Sequence, residues 1–207
     1  MPSLDYPLEK GGPKRLSLIW VGPTISVLFD DQEVAEVSAA TEALRQGHQI
    51  SLPDNSLLSL QLKRGFLVSQ LHITRNGVPL PNTPSDPYRK IRNAAQATFM
   101  LGGLHILIGL TLSTLDSSMI LIAILGIIFF GLGFAVKKES FLALLIVAIA
   151  QLVFNTIPSL INMSTTFGTG GFLSVASFFF RLYLFYLLVV GLGAMWSIRT
   201  APSGKFA

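Results

Sequence analysis

Two apolar stretches decide the fold class of this chain: residues 141–161, FLALLIVAIAQLVFNTIPSLI, and residues 172–196, FLSVASFFFRLYLFYLLVVGLGAMW. Two more apolar segments precede them, residues 97–115 and residues 119–136. Each of the four approaches or exceeds the roughly 20 residues that an α-helix needs to cross a bilayer core of about 30 Å. Across all four, only His105 and Arg181 have side chains that could carry a charge near neutral pH. The chain is therefore predicted to be an integral, multi-pass membrane protein with four transmembrane helices.

The composition supports a membrane protein and narrows the chemistry. Of the 207 residues, 51% are hydrophobic and only 13% are charged, whereas about 25% are charged in soluble domains. The net charge of +4 comes from bases at the ends of apolar segments. A nucleic-acid surface needs bases clustered on one face, so no nucleic-acid partner is expected. The chain has no cysteine, which excludes disulfides, thiolate metal sites and a cysteine nucleophile.

The first half of the chain reads as a small β-rich domain. Hydrophobic residues alternate with polar ones around Leu16, Ile25, Leu58 and Ile73, as in strands with one buried face. Asn76-Gly77 is a strong hairpin signal, because a type I′ turn requires positive φ at both central residues. We predict an antiparallel sandwich or open barrel over residues 16–81, after a flexible tail over residues 1–15. The fold class is thus α+β: a soluble β-domain followed by a four-helix transmembrane bundle.

Residues 82–96 are predicted to join the two halves as a proline-rich linker followed by a basic juxtamembrane helix. Asp86-Pro87 resembles an N-cap followed by proline at the first helical position. The transmembrane region is placed at residues 97–198 and a tail at residues 199–207. Because the first exportable segment begins at Ala97, residues 1–92 are expected to remain where they are made.

The β-domain shows no catalytic signature, so no catalytic residue, metal ligand or cofactor is predicted for the chain. It contains no P-loop, no G-x-G-x-x-G and no G-x-S-x-G motif. His48 and His72 do not belong to a metal-binding spacing and are interpreted as surface or rim residues. Asp30-Asp31 could ligate a hard cation, but aspartate is common in turns because it bonds to the backbone, and the turn is favoured.

Basic residues at the membrane surface predict the orientation. Arg89, Lys90 and Arg92 precede the first span, Lys137 and Lys138 lie between the second and third spans, and Arg199 and Lys205 follow the fourth. The two opposite loops, residues 116–118 and 162–171, contain no Lys or Arg. By the positive-inside rule, both termini lie in the cytoplasm, in a plasma or inner membrane. The same bases are expected to attract anionic lipid.

Small and polar residues recur at helical spacing in every apolar segment, which marks the faces where helices in lipid make contact. These stripes are Thr98, Gly102, His105 and Gly109; Ala123, Gly126 and Gly133; Ala148, Gln151, Asn155 and Asn162; and Ser174, Ser177, Arg181 and Gly191. They predict a compact bundle of the four helices.

One layer of this bundle gathers the candidate functional residues. Arg181 and Asn155 each lie about 5 Å to the outer side of the midpoint of their segment, at 1.5 Å of rise per residue. Pro158 cannot donate to the carbonyl of Phe154. We expect Arg181 to be satisfied by Asn155, Gln151 and that carbonyl. The predicted intramembrane polar cluster comprises Arg181, Asn155, Gln151, Ser177 and His105.

The two ionisable members of the cluster each allow two interpretations. An arginine inside a membrane is costly and is a candidate for function. Since the spans contain no carboxylate, Arg181 could attract an anion, such as a lipid phosphate or a small solute. Alternatively, it snorkels outward and fixes helix packing. His105 is either a proton-relay group or, more commonly, a hydrogen-bonding residue against a neighbouring helix.

Three functions fit the sequence to different degrees. The first is a non-enzymatic membrane protein whose cytoplasmic β-domain binds a protein partner or assembles a complex. The second is a small transporter or channel that uses Arg181, Asn155 and Gln151 and requires a homo-oligomer to enclose a path. An intramembrane enzyme fits least, because no serine–histidine pair or metal spacing occurs in a suggestive context.

Overall fold

The computed structural model describes residues 3–64, 69–161 and 171–200. The chain forms two compact units, a β-rich unit that ends at Arg89 and a helical unit that spans Lys90–Thr200. The predicted outer loop, with Gly168, Gly170 and Asn162, lies outside the described residues, as does the side chain of Ser174.

The β-rich unit contains two four-stranded antiparallel sheets in which each strand pairs with the next along the chain. The first sheet consists of β1 (Ser3–Pro7), β2 (Lys14–Val21), β3 (Thr24–Phe29) and β4 (Gln32–Ser38). The second consists of β5 (His48–Ser51), β6 (Leu57–Arg64), β7 (Ser69–Arg75) and β8 (Val78–Pro79). A short helix, α1 (Thr41–Gln46), connects the sheets and contacts β6. An N-terminal antiparallel β region was predicted and is confirmed.

The hydrophobic residues that alternate with polar ones in the sequence are the residues whose side chains are buried in the strands. Leu16, Ile25, Leu58 and Ile73 are fully buried, and they belong to one hydrophobic cluster that draws on both sheets. The alternation weakens at strand ends, where residues such as Trp20 are only half-buried. Burial of the inward row on each strand supplies the hydrophobic stabilisation of this unit.

Two turns have the backbone that the sequence predicted. Asp30 and Asp31 have φ of 51° and 64°, and Asn76 and Gly77 have φ of 51° and 77°. Positive φ at both central residues of a two-residue hairpin defines a type I′ turn. The prediction that Asp30-Asp31 is a turn is confirmed.

The structure differs from the prediction of a flexible tail over residues 1–15, because β1 lies within it. Ser3–Pro7 pairs with β2 at the edge of the first sheet, and Tyr6 is buried. Proline is compatible with an edge strand, where a missing N–H removes no ladder bond. The ladder irregularity between Tyr6 and Pro7 is where this proline is accommodated.

The proline-rich segment before the helical unit is a hydrogen-bonded turn. The Asp86 carboxylate accepts bonds from the backbone N–H of Asn82 at 2.7 Å and of Tyr88 at 2.9 Å. Thr83 is fully buried, and its hydroxyl donates to the carbonyl of Leu80 at 2.7 Å. Asp86 thus acts as the predicted N-cap, and the helix begins at Pro87.

The helices are α2 (Pro87–Ser113), α3 (Ile120–Lys137), α4 (Phe141–Gln151), α5 (Ile157–Ile161) and α6 (Gly171–Thr200). A 3₁₀ turn, Ser117–Met119, precedes α3, and a π-helical segment, Leu152–Thr156, joins α4 to α5. By length and hydropathy, three of the described helices are able to cross a membrane: Pro87–Ser113, Ser117–Lys137 and Val175–Thr200. Phe141–Thr156 is a shorter apolar helix.

Several glycines of the predicted stripes lie very close to a neighbouring helix. A Cβ built on Gly102 would lie 2.8 Å from the backbone nitrogen of Phe130, and one on Gly109 would lie 2.3 Å from that of Ala123. A Cβ on Gly191 would lie 2.5 Å from the Cβ of Ala94. Only glycine permits these approaches, so the predicted contact role of the stripes is confirmed at these positions.

Side chains cap the N-termini of the helices on either side of α3's loop connections. Ser140 caps α4, since its hydroxyl accepts from the backbone N–H of Ala143. Asp116 caps the 3₁₀ turn that precedes α3. Its carboxylate accepts from the N–H of Ser118 at 2.9 Å. These bonds hold the pKa of Asp116 below its usual value.

Candidate functional site

A pocket of about 520 Å³ lies within the helical unit. Its lining comes from α2, α3, α4, the π-helical segment and α6. The five polar lining residues are His105, Gln151, Asn155, Ser177 and Arg181. The structure therefore brings together in one cavity all five residues of the polar cluster that was predicted from sequence. The rest of the lining is apolar and includes Leu101, Ile122 and Phe180.

Gln151 is the most deeply buried polar residue of this pocket. It is the last residue of α4, and its side chain has no exposed surface. Its Oε1 accepts a hydrogen bond from Nδ2 of Asn155 at 3.0 Å. Its Nε2 is buried and finds no acceptor among the residues that the structure describes. A buried donor without an acceptor costs about 1–3 kcal/mol.

Arg181 carries the one permanent positive charge among the residues that line the pocket. It lies on α6, one turn after Ser177, and both line the cavity. No Asp or Glu lies within α2, α3, α4, α5 or α6. A guanidinium presents five N–H donors in a planar fork, which suits carboxylate and phosphate groups.

His105 bonds within its own helix instead of to a neighbouring one. Its Nδ1 lies 2.8 Å from the carbonyl oxygen of Leu101. A carbonyl can only accept, so Nδ1 carries a proton and donates it to Leu101. The ring stands edge-on to Phe129 on α3, with centroids 5.5 Å apart.

Asn155 lies in the π-helical segment, a feature that periodicity did not predict. Ile157 donates its N–H to the carbonyl of Leu152, five residues back, and the hydroxyl of Thr156 donates to the carbonyl of Gln151 at 3.2 Å. The segment ends just before Pro158, which has no N–H for the carbonyl of Phe154. Pro158 was the one sequence feature that could have indicated an irregularity in this helix. Widened turns of this type occur frequently at functional sites.

The Asp30 and Asp54 carboxylates of the β-rich unit accept hydrogen bonds at turns. The N–H groups of Arg15 donate to the Asp30 carboxylate, with Nε at 2.7 Å from Oδ1, and hold its pKa below the usual value. Hydrogen bonds from Ser56, followed by the charge of Arg75, lower the pKa of Asp54. These shifts arise from turn contacts. His48 is exposed and His72 is half-buried, in keeping with surface and rim positions.

The predicted membrane-surface bases lie near helix ends. Lys137 and Lys138 are exposed at the end of α3, and Arg92 is exposed on the first turns of α2. Lys90 is half-buried. Arg89 is partly engaged elsewhere, because its Nη1 donates to the carbonyl of Asn82 at 2.8 Å.

The described lining of the pocket is suited to binding. It contains a positively charged residue, three polar residues and a histidine, next to a hydrophobic wall. Such a mixture of a few polar groups and an apolar wall is typical of ligand pockets, which measure about 300–1,000 Å³. No protein-family model, curated protein or solved structure matches this chain.

Proposed function

We propose that this chain is a non-catalytic, multi-pass membrane protein that binds an anionic group in the pocket of its helical unit. One observation carries the proposal: the polar residues of α2, α4, the π-helical segment and α6 converge on a single cavity. Arg181 gives this set of side chains a net positive charge, and the predicted spans contain no Asp or Glu. An anion in this cavity would be attracted by that positive charge in a low-dielectric environment.

The proposal includes four membrane crossings, with both termini in the cytoplasm. The helical run Phe141–Ile161 consists of α4, the π-helical segment and α5, with 11, 5 and 5 residues. At about 1.5 Å per residue, it is about as long as the bilayer core is thick. The four crossings then form a bundle around the pocket, and the two sheets form a cytoplasmic sandwich.

Native mass spectrometry of the full chain, released from mild detergent, tests anion binding. The wild-type protein is expected to carry an anionic adduct from the membrane in which it was produced. Arg181→Leu is expected to lose the adduct, while Arg181→Lys retains part of it, because lysine keeps the charge but not the fork.

Arg199→Leu is the matched control. Arg199 lies on the same helix but outside the pocket, with its guanidinium 5.0 Å from the ring centroid of Phe141. This variant should keep the adduct. Equal adducts in wild type and in folded Arg181→Leu would overturn the proposal.

The β-rich unit is proposed to bind a protein partner or to assemble a complex. In support of a non-catalytic role, Arg15 pairs with Asp30 and Arg75 pairs with Asp54 within this unit. Deletion of residues 1–85 is expected to abolish co-purification of the partner while the membrane adduct remains. Retention of the same partner after this deletion would exclude the β-rich unit as the binding module.

Transport by a homo-oligomer is the second candidate function, and the broken helix at the pocket favours it. Transporter sites are often built from interrupted helices near the membrane midplane, and the segment that carries Gln151 and Asn155 changes from α to π at the cavity. Proteoliposomes should then take up an anion that the pocket binds, and the protein should migrate as an oligomer in mild detergent. A monomer that binds the anion but does not transport it would exclude transport and leave anion binding as the proposed function.

A further inference from the structure

We infer that the open edge of β4 binds an extended basic segment of a partner protein, as a fifth strand of the first sheet. This edge would be the surface through which the β-rich unit binds its partner, so the inference rests on the proposed function. It is carried by the exposed backbone of β4, by a β-bulge at Val34 and by two glutamates that have no partner among the described residues.

β4 is the least protected edge of the two described sheets. The edge strands are β1, β4, β5 and β8. Edge strands of natural proteins are often kept short or contain proline, which prevents pairing with other chains. β5 and β8 have four and two residues, and β1 ends in Pro7. β4 has seven residues and contains no proline, so it is long enough to accept another strand.

The backbone groups of Glu36 and Ser38 point to this open edge. Residues of an antiparallel pair alternate between those that bond to the neighbouring strand and those that do not. The N–H of Ala39 donates to the carbonyl of Pro23, which precedes β3, at 2.7 Å, and the register places Ser38 opposite Thr24. By this alternation Ser38 and Glu36 do not bond to β3, and their N–H and C=O groups can pair with a further strand.

A β-bulge brings two carboxylates to the same face of the sheet at this edge. The register pairs Glu33 with Leu28 and Glu36 with Ser26, and Val34 is the extra residue between them. Without the bulge, residues three apart in a strand would face opposite sides of the sheet. Both glutamates are exposed, and no described residue gives either carboxylate a hydrogen bond or an ion pair. They are therefore available to a partner.

The docked segment is expected to alternate basic and apolar residues. Side chains that lie beside Glu33 and Glu36 would share their face of the sheet, so Lys or Arg suits these positions. On the opposite face, Val37 is buried and Ala35 is half-buried against the hydrophobic core, where an apolar side chain would extend the core. A second β4 strand is disfavoured, because its own glutamates would lie beside these.

Peptide binding to the full chain in a non-ionic detergent tests this surface. The probe is a fluorescent peptide of alternating lysine and valine, KVKVKVK, which matches the seven residues of β4. The comparison peptides are KKVVVKK, which has the same composition without the alternation, and EVEVEVE. KVKVKVK is expected to bind more tightly than either, and its affinity is expected to fall as salt is added. Equal binding of KKVVVKK would overturn the inference.

Hydrogen exchange locates the bound peptide. Strand addition should slow exchange in residues 32–38, because the N–H groups of Glu36 and Ser38 acquire acceptors, and should leave β1 unchanged. Exchange that is unchanged at β4, or slowed equally at β1, would overturn the inference. Slowing at β4 that rises with protein concentration in the absence of peptide would overturn it as well, and would assign this edge to a second copy.

Glu33→Gln together with Glu36→Gln tests the two carboxylates. Loss of two exposed charge pairs predicts that KVKVKVK binds about two- to thirtyfold more weakly. Asp5→Asn together with Glu9→Gln is the matched control, since it removes two exposed carboxylates at or next to β1 and should retain binding. Equal weakening in the control would assign binding to net charge and contradict a site at β4.

Glu36→Pro, compared with Glu36→Gln, separates the backbone from the charge. Proline removes an N–H of the open edge without removing a bond of the ladder to β3, so it should weaken KVKVKVK binding further than glutamine does. Equal affinities in the two variants would contradict strand addition. Should Glu36→Pro not fold, hydrogen exchange on the wild type still decides this point.

Co-purification of the partner separates this inference from the proposed function. If deletion of residues 1–85 releases the partner but the variant with Glu33→Gln and Glu36→Gln retains it in full, the β-rich unit binds through another surface and only this inference fails. If the deletion also retains the partner, the β-rich unit is not the binding module and its proposed function fails as well.

Discussion

Glu139 holds a left-handed backbone conformation, with φ of 64°, in the turn between α3 and α4. Its N–H donates to the carbonyl of Val136 at 2.9 Å, and the N–H of Ser140 donates to the carbonyl of Ala135 at 3.0 Å. These two bonds form a Schellman motif with Glu139 at the position where glycine is usual. A side chain in this conformation is strained.

Replacing Glu139 by glycine is predicted to stabilise the protein. Relief of the left-handed strain exceeds the entropy that glycine costs, so the free energy of unfolding should rise by about 0.5–1 kcal/mol. For a chain of this size the melting temperature would rise by roughly 1–4 °C, which thermal unfolding in detergent measures. Glu139→Ala is the control, since it removes the carboxylate but keeps the Cβ. An equal gain in both variants would assign the effect to charge and contradict the backbone argument.

Single residues also show where sequence reasoning succeeds. Asp86 was recognised as a cap because its position before Pro87 has a simple local chemistry. Its second bond, to the N–H of Asn82, depends on how the intervening proline-rich segment folds back. Composition predicted a linker there and did not reveal the turn. Hydrogen bonds between a side chain and the backbone next to it can be predicted from sequence. Contacts that depend on how a longer segment folds back cannot.

At the scale of elements, the helices were recognised by apolar length and their contact faces by the small residues on them. Gly102, Gly126 and Gly191 stand in the predicted stripes and meet neighbouring helices closely. Gly103, Gly131 and Gly193 are outside the stripes, and a Cβ on any of them would meet no described atom within 4 Å. Spacing along a helix thus identified the contact face without any knowledge of its partner.

This contrast predicts opposite effects for two adjacent glycines of α2. A Cβ at Gly102 would lie 2.8 Å from the nitrogen of Phe130 and 2.9 Å from the carbonyl oxygen of Gly126. Since both are backbone atoms, α2 and α3 must separate, and overpacking of this type costs about 1–3 kcal/mol. Gly102→Ala should therefore lower the melting temperature in detergent. Gly103→Ala should leave it unchanged or raise it slightly, because alanine is the better helix former.

The comparison of the two alanine variants is internally controlled, because the residues share a helix and a depth. If Gly103→Ala proves as harmful as Gly102→Ala, the helix is generally intolerant of alanine and the close approach to α3 is not the cause.

Two elements could not be predicted, for different physical reasons. β1 was missed because Pro7 and the charged residues near it suggest a tail, yet an edge strand accepts both. The π-helical segment was missed because five residues are too few for a period of 3.6 to be distinguished from a wider turn. Its consequence is functional, since it lies between Gln151 and Pro158 and carries Asn155 into the pocket.

For the whole molecule, the sequence identified the members of the polar cluster but did not reveal a cavity. Arg181 and Asn155 were placed at one depth from helix length alone, and His105 was added from its stripe. Whether such residues contact each other directly or surround a cavity depends on the packing of several helices. The pocket of about 520 Å³ is therefore a property of the tertiary structure that no single segment encodes.

The number of crossings decides which side of the membrane each terminus occupies. Three crossings would place the termini on opposite sides, and four would place them on the same side. The proposed four crossings would place all seven bases of the helix flanks on one side and no base in the loops of the other, as the positive-inside rule expects. The helical run Phe141–Ile161 is long enough for the additional crossing, despite its π-helical segment.

Single cysteines measure this directly, because the natural chain has none and gives no background. Ser3→Cys, Ser117→Cys and Thr200→Cys each place a thiol at an exposed position, before α2, after α2 and at the end of α6. With a membrane-impermeant maleimide on intact cells, Ser117→Cys is expected to react, whereas the two terminal variants react only after permeabilisation. Labelling of Thr200→Cys but not of Ser3→Cys in intact cells would mean three crossings. In that case Phe141–Ile161 would not cross the bilayer, and the four-helix bundle proposed around the pocket would be excluded.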